Sequence, residues 1–166
     1  VRIKKGFQKK LTLGNLYAVR DWGHAKDYVI MQWLMLQQKK PEDFVIASGR
    51  TETVRKFVEL CSIKLGWAKQ KGKSGIQWEG KGTKEIGKRV DTGEIVIKID
   101  PRYFRPTEVE TLLGDPSKAK ERLNWSPKIT LEELVGEMIK TDLEEAQKEK
   151  ILREKGFQIM SPNLSD

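Results

Sequence analysis

The segment from Leu13 to Val29 limits the fold more than any other part of this chain. It leaves a short strand-like run, Leu11–Leu13, passes through a Gly14-Asn15 turn signal, and enters a helix at about Trp22–Ala25. From His24 to Gln38 the apolar residues keep helical spacing, with Tyr28, Met31, Leu34 and Met35 on one face. Val29, Trp33 and Leu36 carry apolar surface further round, which calls for neighbours on more than one side of the helix. Lys39-Lys40-Pro41 ends it. The same segment carries Arg20 and Asp21 just before the helix start. A guanidinium there can grip an anion with a planar fork of donors, helped by the free N–H groups of the first turn. Equally, Arg20 and Asp21 can pair, or cap the helix.

A second strand-then-helix signal follows. Phe44-Val45-Ile46-Ala47 is a continuous apolar run between Asp43 and Ser48-Gly49, the pattern of a strand buried on both faces in a parallel sheet. Thr51 or Thr53 then caps a helix to about Leu65, with Val54, Phe57, Val58 and Cys61 inward and Gly66 closing it. Such a unit needs other parallel strands beside it. Residues 1–10, with Ile3 and Phe7 four apart, have the spacing of a helix tail, which suggests that chain precedes Val1.

Further along, Ile76–Glu79 and Ile95–Ile99 are short strand candidates around a polar segment, Gly80–Gly93. The Gly80-Lys81-Gly82 piece is not a phosphate loop, because it lacks the third glycine, the Gly-Lys-Ser/Thr end and a following helix. Pro106 holds Arg105 extended, so Arg105 can meet a phosphate while Glu108 accepts hydrogen bonds from a sugar diol. The two can equally pair with each other. Asp115-Pro116 opens a helix over Ser117–Leu123. Thr130 with Glu133 forms a capping box for the last helix, whose inward residues are Leu131, Leu134, Val135, Met138 and Leu143. The charged run to Lys155 continues it in solvent, and residues 156–166 form a frayed tail.

Composition narrows the function. The net charge of +8 over 166 residues is dispersed along the chain, without the interleaved aromatics of a nucleic-acid-binding signature, so nucleic acid is the weaker partner and a nucleotide diphosphate the more economical one. No stretch approaches the roughly 18 apolar residues of a membrane span. A single cysteine, Cys61, and a single histidine, His24, cannot build a zinc cluster, and no metal is expected. The lone thiol also fits a reducing, cytoplasmic setting. A reductase-type site needs a glycine-rich dinucleotide turn and a tyrosine followed four residues later by lysine. Tyr17, Tyr28 and Tyr103 are followed at that spacing by Asp21, Gln32 and Thr107, so no catalytic residue is assigned to this chain.

Several strings resemble the GDP-mannose 4,6-dehydratases, extended short-chain dehydrogenase/reductases. They are Leu13-Gly14-Asn15-Leu16, Arg20-Asp21-Trp22-Gly23-His24-Ala25-Lys26-Asp27-Tyr28, Pro41-Glu42-Asp43-Phe44-Val45-Ile46-Ala47, Tyr103-Phe104-Arg105-Pro106-Thr107-Glu108-Val109 and Leu123-Asn124-Trp125. Val19 stands where that pattern leads one to expect lysine. The resemblance implies an α/β C-terminal substrate lobe, with one or two strand–helix units that complete a Rossmann-type sheet. The N-terminal dinucleotide-binding domain, with the catalytic residues, then lies before residue 1, and residues 1–166 are the C-terminal part. It implies that Arg20 and Arg105 hold the pyrophosphate of GDP-mannose, that Glu108 holds the ribose hydroxyls, and that Gly14 and Asn15 line the nucleotide cleft. The family's reaction makes GDP-4-keto-6-deoxymannose, on the way to GDP-fucose and related deoxysugars. Hydride leaves C4 for NADP, water is lost across C5–C6, and hydride returns at C6. A homo-oligomer is implied for the complete protein, and inactivity for this chain alone. The competing reading is a noncatalytic basic module, for nucleotide or nucleic acid, that keeps the lobe's fold.

Overall fold

A computed structural model describes residues 1–104 and 112–157. The chain forms two compact units. The first comprises Val1–Asn15, Val58–Pro106 and Val135–Asp166, and the second Leu16–Phe57 and Thr107–Leu134. In chain order the elements are β1 (Leu11–Leu13), β2 (Val19–Arg20), α1 (Ala25–Leu36), β3 (Glu52–Thr53), α2 (Val54–Lys64), β4 (Ile76–Glu79), β5 (Ile86–Arg89), β6 (Ile95–Ile99), α3 (Ser117–Leu123) and α4 (Leu131–Glu154). Short 3₁₀ turns cover Gly82–Lys84 and Pro101–Tyr103. Among the described residues no helix is long and apolar enough to cross a membrane.

The first unit is built on a four-stranded mixed sheet, in the order β1-β6-β5-β4. Strands β4, β5 and β6 form an antiparallel meander, because short connections can join only antiparallel neighbours. β1 lies parallel to β6, with Leu11, Thr12 and Leu13 opposite Ile97, Lys98 and Ile99. Ile76, Val96, Ile97, Ile99, Val135 and Ile139 are buried. Ser62, within α2, is fully enclosed and accepts the Gly75 N–H at 2.9 Å, while Glu59 accepts the Trp78 indole N–H at 2.9 Å. Residues 1–10 form turns that end in a helix-terminating bond pair, Gly6 N–H to Ile3 carbonyl and Phe7 N–H to Arg2 carbonyl.

In the second unit α1 and α3 pack around Met31, Ala119, Leu123 and Trp125, with Tyr28, Leu34, Met35, Phe44 and Ile46 against them. The face expected from the helical spacing is thus the packed one. The other apolar stripe is open in this unit: Val29 and Trp33 are each 60% exposed and Leu36 is 81% exposed.

Three expectations about elements are corrected. Residues 44–47 join no ladder, because no described strand lies beside them, although Ala47 is buried. β5 occupies the segment read as polar connection, since Gly87 lets Ile76, Ile97 and Trp78 close over it. Met138 is exposed, and the buried stripe of α4 is Val135, Ile139 and Ala146. Elsewhere Thr53 accepts the Lys56 N–H at 3.0 Å to begin α2, and Thr130 and Glu133 form the reciprocal box that begins α4. Of the tail expected over 156–166, residues 158–166 lie outside the described residues.

Candidate functional site

In the first unit the parallel strands β1 and β6 end together, and the Asp100 N–H bonds the Leu13 carbonyl at 2.9 Å. Ligands of open α/β sheets sit beyond the carboxyl ends of parallel strands. The two segments that leave these ends are Gly14-Asn15 and Asp100–Phe104. They touch: a Cβ on Gly14 would lie 2.2 Å from the Tyr103 carbonyl oxygen. Only glycine permits that approach of backbone to backbone. Asp100 shapes the second segment by accepting the Arg102 N–H at 2.8 Å and its guanidinium at 2.7 Å. The guanidinium holds the Asp100 carboxyl below its ordinary range. Beside these residues runs an open groove of about 320 Å³ lined by Lys10, Thr12, Lys98, Asp100, Arg102 and Tyr103. Asn15 is half-buried at the turn. Arg105 and Glu108 lie outside the described residues.

Arg20 belongs to the second unit. It sits on the two-residue β2, opposite Glu52 of β3, half-buried, with its Nη1 donating to the Val19 carbonyl at 2.8 Å. Neither Arg20 nor Asp21 caps α1. His24 does so, its Nδ1 accepting the Lys26 N–H at 3.0 Å. Asp21 accepts the Ser48 N–H at 2.9 Å, the Gly49 N–H at 3.1 Å and the Tyr28 hydroxyl. Burial and the Asp21 carboxylate raise the Tyr28 phenol above its ordinary pKa. Trp22 donates its indole N–H to the Glu52 carbonyl at 3.2 Å and packs on Phe57. A Cβ on Gly23 would fall within 2.1 Å of the Tyr28 ring, so this glycine makes room for the ring that reaches Asp21.

Asp27 is the residue that sequence reasoning missed. It is 4% exposed, at the third position of α1, where the helix dipole favours a carboxylate. Its Oδ2 accepts the Lys128 N–H at 3.0 Å and the Ile129 N–H at 2.9 Å, and its backbone carbonyl accepts the Trp125 indole at 3.0 Å. The available signal was a charged residue beside the packed positions Tyr28 and Met31 of an otherwise apolar helix.

Other candidate chemistry is absent from the described residues. They contain no group of three His, Cys, Asp or Glu that could hold a metal. A Cβ on Gly80 would meet the Lys84 carbonyl at 2.5 Å, so the Gly80–Gly82 connection is filled by its own backbone and offers no cradle for a dinucleotide pyrophosphate. Burial pushes the Cys61 thiol up to about 11 from its ordinary value of 9.0. Iodoacetamide at about pH 8 is therefore expected to modify Cys61 about a hundredfold more slowly than an unperturbed thiol, since only the thiolate reacts. Intact-mass kinetics measure this directly, and modification at the ordinary rate would contradict the burial.

The chain resembles solved structures at the level of fold. The Pseudomonas aeruginosa enzyme RMD, complexed with NADPH, superposes with a TM-score of 0.61 at 18% identity, over 84% of this chain and 38% of that one. The dTDP-glucose 4,6-dehydratase of Bacillus anthracis, in complex with NAD, gives a TM-score of 0.57 at 21% identity over 84% of this chain and 35% of that one. The fold is that of part of an extended short-chain dehydrogenase/reductase. Sequence then separates one family from the rest. The family model for GDP-mannose 4,6 dehydratase matches residues 1–138, and the GDP-mannose 4,6-dehydratase of Yersinia enterocolitica is 50% identical over 95% of this chain. The chain belongs to the GDP-mannose 4,6-dehydratase family. It spans 43% of the length of that Yersinia relative.

Proposed function

We propose that this chain is the GDP-sugar-binding part of an NADP-dependent GDP-mannose 4,6-dehydratase, a lyase that makes GDP-4-keto-6-deoxymannose for GDP-fucose and other deoxysugars. The observation that supports this most is the contact of Gly14 with the Tyr103 backbone, which joins two of the family-like strings at the carboxyl ends of a parallel strand pair. In this reading Arg20 and Arg105 neutralise the pyrophosphate, Glu108 accepts the ribose hydroxyls, and Gly14 and Asn15 line the cleft. Two guanidinium forks on a diphosphate fix the remote end of the substrate, and that binding energy then positions the hexose. NADP supplies hydride transfer when bound. The described residues offer it no glycine-rich turn, so its site belongs to an N-terminal cofactor domain outside residues 1–166.

The open face of α1 fits this division. A helix that is apolar all round is a helix covered all round. Val29, Ile30, Trp33 and Leu36 form the stripe that a cofactor domain would cover. The complete enzyme is read as a cytoplasmic homo-oligomer. The chain alone is expected to leave GDP-mannose unchanged in the presence of NADP. Fused behind the remainder of the Yersinia relative, it should restore formation of the 4-keto product. Turnover by the rigorously purified 166-residue chain, or an inert fusion whose two parts both fold, would count against the proposal.

A further inference from the structure

The inference concerns how Arg20 is aimed, and it rests on the nucleotide-binding reading above. β2 has two residues, and a two-residue ladder to β3 does not by itself fix a strand. A guanidinium that grips a diphosphate through two parallel bonds must nevertheless be held within about 0.5 Å of its working geometry. The structure holds the backbone after Arg20 by other means. Asp21 sits between three separate pieces of chain. Its carboxylate takes the Ser48 N–H through both oxygens, at 3.0 and 2.9 Å, and the Gly49 N–H at 3.1 Å. It also takes the hydroxyl of Tyr28, from the first turn of α1. The Ser48 turn is itself closed, its hydroxyl donating to the Arg50 carbonyl at 2.9 Å and accepting the Arg50 N–H at 3.1 Å. On the next residue, Trp22 reaches back to the Glu52 carbonyl, the register partner of Arg20. The Tyr28 ring can reach Asp21 because position 23 has no side chain.

We propose that Asp21 is a positioning residue for Arg20: by tying the 48–49 turn and Tyr28 to the end of β2, it fixes the direction in which the Arg20 guanidinium meets a nucleoside diphosphate. A carboxylate suits this task because it accepts several N–H and O–H donors at once. Asparagine cannot replace it, since its amide nitrogen brings a donor against a donor.

A double-mutant cycle on the 166-residue chain, read by calorimetric titration with GDP, tests this. Arg20→Lys keeps the charge and loses the fork, and should weaken GDP binding about tenfold in the unsubstituted chain. Asp21→Asn alone should weaken it about tenfold as well. In the Asp21→Asn background, Arg20→Lys should then cost no more than about twofold, because a misdirected fork has little left to lose. Equal losses from Arg20→Lys in both backgrounds would overturn the inference and leave the nucleotide reading intact. Absence of GDP binding by the unsubstituted chain would overturn that reading and this inference with it. Circular dichroism and a urea midpoint establish that Asp21→Asn folds. If it does not, Tyr28→Phe removes a single bond to Asp21, and the cycle run with it should show the same coupling at reduced size. Strict additivity there would overturn the inference.

Discussion

Replacing Gly14 by alanine is expected to destabilise the chain by about 3 kcal/mol and to abolish measurable GDP binding. The added Cβ would lie 2.2 Å from the Tyr103 carbonyl oxygen and 2.9 Å from its carbon. Both are backbone atoms, so no rotamer change relieves the overlap. The Tyr103 backbone cannot simply retreat. Its N–H bonds the Asp100 carbonyl at 3.0 Å, the Phe104 N–H bonds the Pro101 carbonyl at 3.2 Å, and the Asp100 N–H bonds the Leu13 carbonyl at 2.9 Å. Relief has to come from parting β1 and β6 at their carboxyl ends, and forced shifts of this kind cost about 1–3 kcal/mol or more. Urea unfolding measures the first effect and GDP titration the second. Gly136→Ala in α4 is the internal control. Its new Cβ would be 3.5 Å from the mobile end of Lys64, so removing a helical glycine should be neutral or stabilise by up to about 1 kcal/mol. A Gly14→Ala chain as stable as the Gly136→Ala chain would contradict the contact.

Asp27→Ala is expected to cost at least as much, about 3–5 kcal/mol, without touching any residue of the candidate site. The substitution removes a buried carboxylate and leaves the Lys128 and Ile129 N–H groups without their acceptor. Each buried group left unsatisfied costs about 1–3 kcal/mol. The loss extends to packing, because Trp125, bonded to the Asp27 carbonyl, sits in the cluster with Met31, Ala119 and Leu123. Asp27→Asn retains one acceptor oxygen and should lose less. Thermal or urea unfolding followed by tryptophan fluorescence reads this directly through Trp125. A loss below about 1 kcal/mol for alanine would mean that residues 125–129 are held by something other than Asp27.

What the sequence disclosed divides by the range of the forces involved. Local signals were legible. Leu11–Leu13, Ile76–Glu79 and Ile95–Ile99 read as strands from short β-branched runs, Ser117–Leu123 read as a helix behind proline, and Thr130 with Glu133 announced the start of α4. Pairing between distant segments was not legible. β2 and β3 are two residues each and exist because each is the other's partner. β5 contains Gly87-Lys88-Arg89 and lacks apolar alternation, so only the enclosure of Gly87 by Ile76, Ile97 and Trp78 explains its place in the sheet. Residues 44–47 show the reverse error. Their apolar run is that of a buried strand, but a ladder needs a neighbour, and none is among the described residues.

The candidate site follows the same division. Gly14 and Arg20 stood out as parts of a family-like string, and the turn that needs Gly14 is present. Asp21 did not disclose its task, because its acceptor role depends on Ser48, 27 positions away. The helix cap was assigned to the wrong neighbourhood for a related reason. Arg20 and Asp21 precede α1 closely enough to suggest capping, but His24 is the residue whose side chain reaches the Lys26 N–H.

The measurement that bears most directly on the central claim is titration of the purified chain with GDP, alongside UDP and ADP, for the unsubstituted protein and Arg20→Ala. The account predicts saturable one-site binding that prefers GDP, weakens at least tenfold in Arg20→Ala, and changes only gently with salt, as few phosphates are engaged. Affinity that ignores Arg20, or an absence of nucleotide binding together with steeply salt-dependent binding to RNA, would contradict it and make this chain a basic module that keeps only the family's fold.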